Sequence, residues 1–375
     1  MTWHGMSLPA WLRLITKNRF RVAPRFWHIF VLQAFYTSFH SLFRGYQWIG
    51  FKFWQSIDPT WPPPKSLESP PLFILGHWRS GTTLLHELMV LDQRHTFPTS
   101  YECFEPNHFV LSEGIATRLL GFLTPSQRPM DNMKAGWDRP QEDEFALCNL
   151  GLPSPYLTMA FPNEPPQDQD YWTLDEVPPA ARERWKRVFL RFLCEISSRR
   201  PRRIVLKSPP HTCRVKLLLE MFPNARFIHI TRHPCSIFPS TVHLWRRLYA
   251  VQGLQKPNYE GLEEYVFDNL ARMYEAFESD RELIPPDHFC ELRYEDLVAD
   301  TVGVMHDVYR KLDLGGFSDV RPAIEDYLEQ NKGYETNKFP ELSPELLKQI
   351  ATRWRSYAER YGYQVDATTP SSVGP

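Results

Sequence analysis

Gly76 and Gly81 bracket an arginine and a serine in the stretch Ile74-Leu75-Gly76-His77-Trp78-Arg79-Ser80-Gly81-Thr82-Thr83. An apolar run, residues 72–75, leads into this turn, and a helix-period stripe (Leu84, Leu85, Leu88, Met89) leads out. Strand, glycine turn and helix start in that order make an anion cradle. The N–H groups of a first helical turn have no ladder partner and point at the incoming charge. The spacing of the two glycines is that of a nucleotide P-loop. Where a P-loop ATPase carries Lys, however, this chain has Thr82, and its cation, Arg79, stands two residues before Gly81. The pattern implies binding of phosphate or sulfate and speaks against magnesium-ATP hydrolysis.

More cations follow where strands should end. Arg203-Ile204-Val205-Leu206-Lys207 is a short apolar run closed by Ser208-Pro209-Pro210, and residues 225–232 form another that ends in Arg232. In an open parallel sheet, ligands bind outside the carboxyl ends of the strands. Arg79, Lys207 and Arg232 converge there if the strands are parallel. A magnesium site would need an Asp at one of these ends, so the anion is expected to be neutralised without a metal. Ser240, eight residues after Arg232, makes with it a second phosphate clamp, which implies a ligand with two separated anionic groups.

These residues need a scaffold, and the pattern supplies one. A further strand reads at 289–294, and helical periods run over 180–198, 213–221, 236–249, 262–281, 301–312 and 343–362. Strands alternating with helices predict an α/β fold, a P-loop-type parallel β-sheet sandwiched by helices. Residues 1–65 read as a helical N-terminal lead-in packed on the core, ended by the stiff Pro59–Lys65 connector. Residues 66–365 read as one α/β domain, and 366–375 as a disordered tail. Within the domain, residues 96–172 are rich in Pro, Phe and Tyr and weakly periodic, an irregular acceptor-site insertion.

The lead-in carries an aromatic stretch beginning at Phe26. Trp27, Phe30, Val31, Ala34, Phe35, Ser38, Phe39 and Leu42 recur on one helical face. It falls short of the roughly 20 apolar residues of a spanning helix. Either this face packs on the core, or it makes an interfacial membrane contact or acceptor lid. The chain of 375 residues has a net charge of −1, which offers no global basic field for nucleic acid. Aromatics reach 14%, fitting an apolar binding cavity as well as a large core. The six cysteines are far apart with no C-x-x-C pair, so neither a metal site nor a disulfide framework is expected. With no N-glycosylation acceptor and no signal-peptide pattern, a cytoplasmic setting, with membrane association left open, is expected.

Taken together, these motifs resemble those of the sulfotransferases that use 3′-phosphoadenosine 5′-phosphosulfate. Arg79-Ser80-Gly81-Thr82-Thr83 is similar to that family's 5′-phosphosulfate loop, and Arg232 with Ser240 to its 3′-phosphate pair. Arg293-Tyr294-Glu295-Asp296-Leu297 resembles its Y-E-D-L segment, whose Tyr lies near the nucleotide. Gly76–Arg79, residues 140–145 and Lys207-Ser208-Pro209-Pro210-His211 look like the bacterial-type sulfotransferase-3 group. The resemblance covers about residues 70–340.

It implies in-line transfer of a sulfuryl group to a hydroxyl or amine of a small-molecule acceptor, which the aromatic segment 96–172 suggests is apolar or amphipathic. Arg79, Ser80, Gly81, Thr82 and Thr83 would hold the 5′-phosphosulfate, Lys207 the sulfuryl oxygens, Arg232 and Ser240 the 3′-phosphate, with Tyr294 nearby. Lys332, with Gly333, Tyr334 and Asn337, resembles the loop that closes over the nucleotide. The general base stays open between His211, Glu102, Glu142 and Glu144. Two other classes remain: a P-loop small-molecule kinase and a non-catalytic nucleotide- or lipid-binding protein.

Overall fold

The computed structural model describes residues 2–57, 67–120, 136–333, 337 and 339–365. The Pro59–Lys65 connector, Tyr334 and the tail from 366 lie outside them. Five strands are present: β1 (Leu72–Leu75), β2 (His95–Thr96), β3 (Arg203–Lys207), β4 (Arg226–Thr231) and β5 (Phe289–Arg293). Their order is β2-β3-β1-β4-β5, and the pairs β1–β4 and β4–β5 are parallel. The α/β class and the strands expected at 72–75 and 203–207 are therefore present, and those expected at 225–232 and 289–294 are present at 226–231 and 289–293.

The helices in chain order are α1 (Leu8–Lys17), α2 (Trp27–Ile57), α3 (Thr82–Met89), α4 (Ser100–Phe104), α5 (Phe109–Leu120), α6 (Asp143–Asn149), α7 (Pro179–Arg199) and α8 (Val215–Met221). After them come α9 (Pro234–Gln252), α10 (Leu262–Asp280), α11 (Tyr294–Ala299), α12 (Thr301–Lys311), α13 (Phe317–Gln330), α14 (Pro344–Arg353) and α15 (Arg355–Arg360). The chain divides into two compact units. One comprises residues 1–69, 96–206 and 246–260, the other 70–95, 207–245 and 261–375.

In the second unit β1 and β4 are buried along almost their whole length, so both read as continuous apolar runs. Their register pairs Leu75 with His229, and β4 with β5 pairs Thr231 with Arg293. That register brings the ends of β4 and β5 level, so Arg232 and Tyr294 leave the sheet side by side.

In the first unit, segment 96–172 is more helical than its sequence suggests. Thr99 and Glu102 form a capping box that starts α4: Glu102 N donates to Thr99 Oγ1 at 3.2 Å, and Thr99 N donates to Glu102 Oε2 at 2.9 Å. Helix α2 takes the second of its two expected arrangements, with the apolar face uncovered. Its polar residues Gln33, Thr37, His40 and Gln47 are buried, whereas Trp27, Val31, Phe35 and Phe39 are exposed. The helix turns its polar face inward and its apolar stripe outward.

Candidate active site

The cradle is built as its glycines require. Gly76 (φ +145°) and Gly81 (φ +103°) both lie in the left-handed half of backbone space. A Cβ on Gly76 would stand 2.6 Å from the Ile230 carbonyl oxygen, and one on Gly81 2.4 Å from Cδ2 of Tyr294. Arg79 itself has φ +67°, a conformation that costs a non-glycine residue about 1–2 kcal/mol. Strain of this size persists where the surroundings fix it, and such positions cluster at binding sites.

Ser80 turns inward. Its N–H and its hydroxyl both donate to the His77 carbonyl, at 3.2 and 2.7 Å. The N–H group of Ser80 is thereby drawn into the turn. The helical ladder opens with Leu85 N to Gly81 O at 3.1 Å, leaving the N–H groups of Gly81, Thr82 and Thr83 ahead of the first rung. His77 is fully buried, and the contact of its Nδ1 with the Trp78 carbonyl at 2.8 Å assigns the proton to that nitrogen. Burial pushes its pKa down to about 4, against the opposing effect of that hydrogen bond.

Around the cradle the second unit assembles the expected cations. Arg79 Nε donates to Ser240 Oγ at 2.9 Å, and Arg232 NH1 donates to the Arg79 carbonyl at 3.2 Å. The Arg232 guanidinium stands 4.1 Å from the centroid of the Tyr294 ring, the same ring that closes over Gly81. The Arg232 backbone is clamped in turn by Tyr357, whose hydroxyl accepts from Arg232 N (3.1 Å) and donates to Arg232 O (2.8 Å). Nothing in the sequence reading pointed to Tyr357; its C-terminal helix was seen, but its aim at Arg232 was not legible.

Lys207 closes β3 and is almost fully buried. The tight turn after it, Pro209–Cys213, carries the buried His211, whose ring meets Phe73 edge-on at 5.4 Å. That turn is tied to the start of the cradle, because Gly76 N donates to Thr212 Oγ1 at 2.9 Å. Lys332 stands apart from these groups: its side chain is exposed and pairs with Glu329.

The three carboxylate candidates all lie in the first unit. Glu102 is fully buried, and Arg200 NH2 reaches both its oxygens, at 2.8 and 2.7 Å. Burial raises its pKa while Arg200 and the Thr99 N–H oppose the rise. Glu142 is the N-cap residue of α6 and accepts from the Tyr156 hydroxyl. Glu144, in the first turn of the same helix, accepts from Ser154 Oγ at 2.5 Å.

One cluster among the described residues brings metal-type ligands together: His40, Glu105 and His108. Ser112 Oγ donates to the His108 carbonyl (3.0 Å) and so accepts from His108 Nδ1 (2.8 Å). His108 Nε2 faces His40 Nδ1 at 2.5 Å, and a Glu105 carboxylate oxygen stands 3.2 Å from the same His40 nitrogen. The pair fastens α2 to the turn that leads into α5. All six cysteines are buried thiols.

A family model described as the sulfotransferase family, Sulfotransfer_3, matches residues 70–319. The omega-hydroxy-beta-dihydromenaquinone-9 sulfotransferases Stf3 of Mycobacterium bovis and Mycobacterium tuberculosis are each 43% identical over 373 residues, covering 100% of this chain and 94% of theirs. Among solved structures, sulfotransferase STF9 from Mycobacterium avium aligns with a TM-score of 0.61 at 18% identity, over 89% of this chain and 86% of that one. Sulfotransferase STF1 from Mycobacterium tuberculosis aligns at 0.56 and 18% identity, over 87% and 84%. At such identity the two structures speak to the fold; the full-length 43% identity and the match over 70–319 speak to the chemistry. The kinase and non-catalytic readings give way, and the chain belongs to the sulfotransferase family and is a sulfotransferase enzyme.

Proposed function

We propose that the protein transfers the sulfuryl group of 3′-phosphoadenosine 5′-phosphosulfate to the hydroxyl of a long apolar acceptor, of which an ω-hydroxylated isoprenoid quinone is the first to test. The observation that carries the donor is the joining of Arg79, Arg232, Ser240 and Tyr294 around one glycine turn. The acceptor rests on the full-length similarity to enzymes named for a hydroxylated dihydromenaquinone.

In this reading the N–H groups of Gly81, Thr82 and Thr83 and the Arg79 side chain receive the 5′-phosphosulfate. Arg232 and Ser240 take the 3′-phosphate, and Tyr294 supports the Arg232 guanidinium. Lys207 stabilises the charge that grows on the bridging oxygen as the sulfur–oxygen bond to the phosphate breaks. His211 takes the acceptor's hydroxyl proton as the new oxygen–sulfur bond forms, and adenosine 3′,5′-bisphosphate leaves. We assign His211 this role because its turn is bonded to the cradle through Thr212. Glu102 is already committed to a helix cap and to Arg200.

The test is incubation with radiolabelled donor and a panel that holds an ω-hydroxylated quinone, its non-hydroxylated parent and a charged carbohydrate. Label in the hydroxylated quinone alone supports the reading. Label only in the carbohydrate overturns the acceptor, and no label from this donor into anything overturns the donor.

A further inference from the structure

The amphipathicity of α2 is inverted, and the part of the chain that contains it carries cations and no carboxylate. Residues 1–57 hold no Asp or Glu, yet carry Arg13, Lys17, Arg19, Arg21, Arg25, Arg44 and Lys52. The whole chain nets −1, so this segment is a cationic stretch of a neutral protein; its Lys17 and Arg21 pair with Asp168 and Glu164, while Arg19 and Arg25 are exposed. On α2, Trp27, Val31, Phe35, Phe39, Leu42 and Tyr46 follow one another at three- and four-residue steps, one stripe, and are 46–68% exposed. Large apolar residues singly exposed are ordinary; a contiguous stripe of this length marks an interaction surface.

Its inner face is firmly held, so the orientation is not loosely set. Leu8 N donates to Ser41 Oγ at 2.7 Å, and the His40–His108 pair fastens the middle of the helix. Behind the stripe, Arg44 shares a cavity of about 220 Å³ with Arg13, Arg184 and Arg191, balanced by the single carboxylate of Glu195. Burial, with Arg191 and Arg184 nearby, holds the Arg44 guanidinium below its ordinary pKa, and Glu195 opposes the shift.

We propose that α2 lies in the surface of an anionic lipid bilayer, with its aromatic stripe among the acyl-chain boundary and the arginines against lipid phosphates. Trp and Tyr in the stripe suit the headgroup level, and a basic surround suits anionic lipid. No helix among the described residues is long and apolar enough to cross a membrane, so the contact is interfacial. The inference does not depend on the acceptor, because vesicle binding is read without turnover.

The test uses the full chain and sedimentation with vesicles of phosphatidylcholine alone or with about one third phosphatidylglycerol. The protein is expected to sediment with the anionic vesicles and to be released progressively as salt is raised. Val31→Glu with Phe35→Glu should lower partitioning on the order of a hundredfold, with melting temperature and bisphosphate binding unchanged because both side chains are exposed. Arg19→Glu with Arg25→Glu should lower anionic binding by about fivefold or more per charge while sparing the weaker neutral binding. Absence of sedimentation with either vesicle overturns the proposal, as does sedimentation that survives the Val31/Phe35 pair. A wild-type dimer that this pair converts to monomer, with no vesicle binding, would assign the stripe to a second copy of the chain instead.

Discussion

Arg79 Nε donates to Ser240 Oγ at 2.9 Å across 161 residues of sequence. The cradle's cation and the hydroxyl read as part of a separate 3′-phosphate clamp are thus one hydrogen-bonded unit. A side chain on a strained loop needs such a tether to stay aimed. Arg79→Ala should weaken adenosine 3′,5′-bisphosphate binding by about one to two orders of magnitude, the worth of a charge-assisted hydrogen bond. Ser240→Ala should cost about tenfold. Because the residues touch, the double variant should lose less than the product of the two. Titration calorimetry on the four proteins decides it, and strictly multiplicative losses would show that the tether does nothing.

Gly81 lies beneath the Tyr294 ring, and that ring carries the Arg232 guanidinium. Gly81→Ala therefore strains the backbone at φ +103° and drives a methyl into the ring. We expect a stability loss of about 1–3 kcal/mol and more than a tenfold fall in bisphosphate affinity. Tyr294→Leu, which keeps the glycine, should lose affinity through Arg232 with little loss of stability. Wild-type affinity in Gly81→Ala, measured beside its urea midpoint, would remove the ring from the account.

His77 makes the cradle sensitive to acid. Its pKa is depressed to about 4 from 6.5, so the folded chain binds fewer protons there than the unfolded chain between those values. The stability of the neutral, buried ring is therefore full above about 6.5. It declines by about 1.4 kcal/mol per pH unit as pH falls toward 4. Asn at this position keeps an amide donor for the Trp78 carbonyl and does not titrate. The urea midpoint of His77→Asn should fall less than that of the wild type between pH 7 and pH 5; parallel losses would assign the acid sensitivity elsewhere.

The cradle and its cations were legible because their signals are local: glycine spacing, an apolar run of strand length, a cation at its end. The parallel register then does what topology promises, setting Arg232 and Tyr294 side by side. Glu102 shows where locality fails. Its capping box with Thr99 stands in the sequence at i, i+3, but its partner Arg200 lies 98 residues away, and only that pairing commits the carboxylate. Helix α13 was missed because Pro322 interrupts its period, although Val320 and Ile324 on its inner face are buried. For α2 the period was legible, but which of its faces the fold covers was not. A stripe of Trp, Val and Phe looks like core unless charge is counted over the segment, and a net charge of −1 for the whole chain averages the cationic block away.

The base is where stability and catalysis can be separated. Glu102 is fully buried, and both its oxygens are engaged by Arg200, which is itself about one third exposed. Glu102→Gln keeps the shape and removes the charge, so it should cost about 2 kcal/mol of stability and leave kcat within a few fold. Glu142→Gln, at the N-cap of α6 and bonded to the Tyr156 hydroxyl, should behave in the same way with a smaller loss. His211→Asn should lower kcat by about 10²–10⁴-fold with bisphosphate affinity intact. Stopped-time label transfer gives all three rates. A Glu142→Gln protein that folds and binds the bisphosphate but does not turn over, beside an active His211→Asn, would move the proton transfer to the carboxylate at α6.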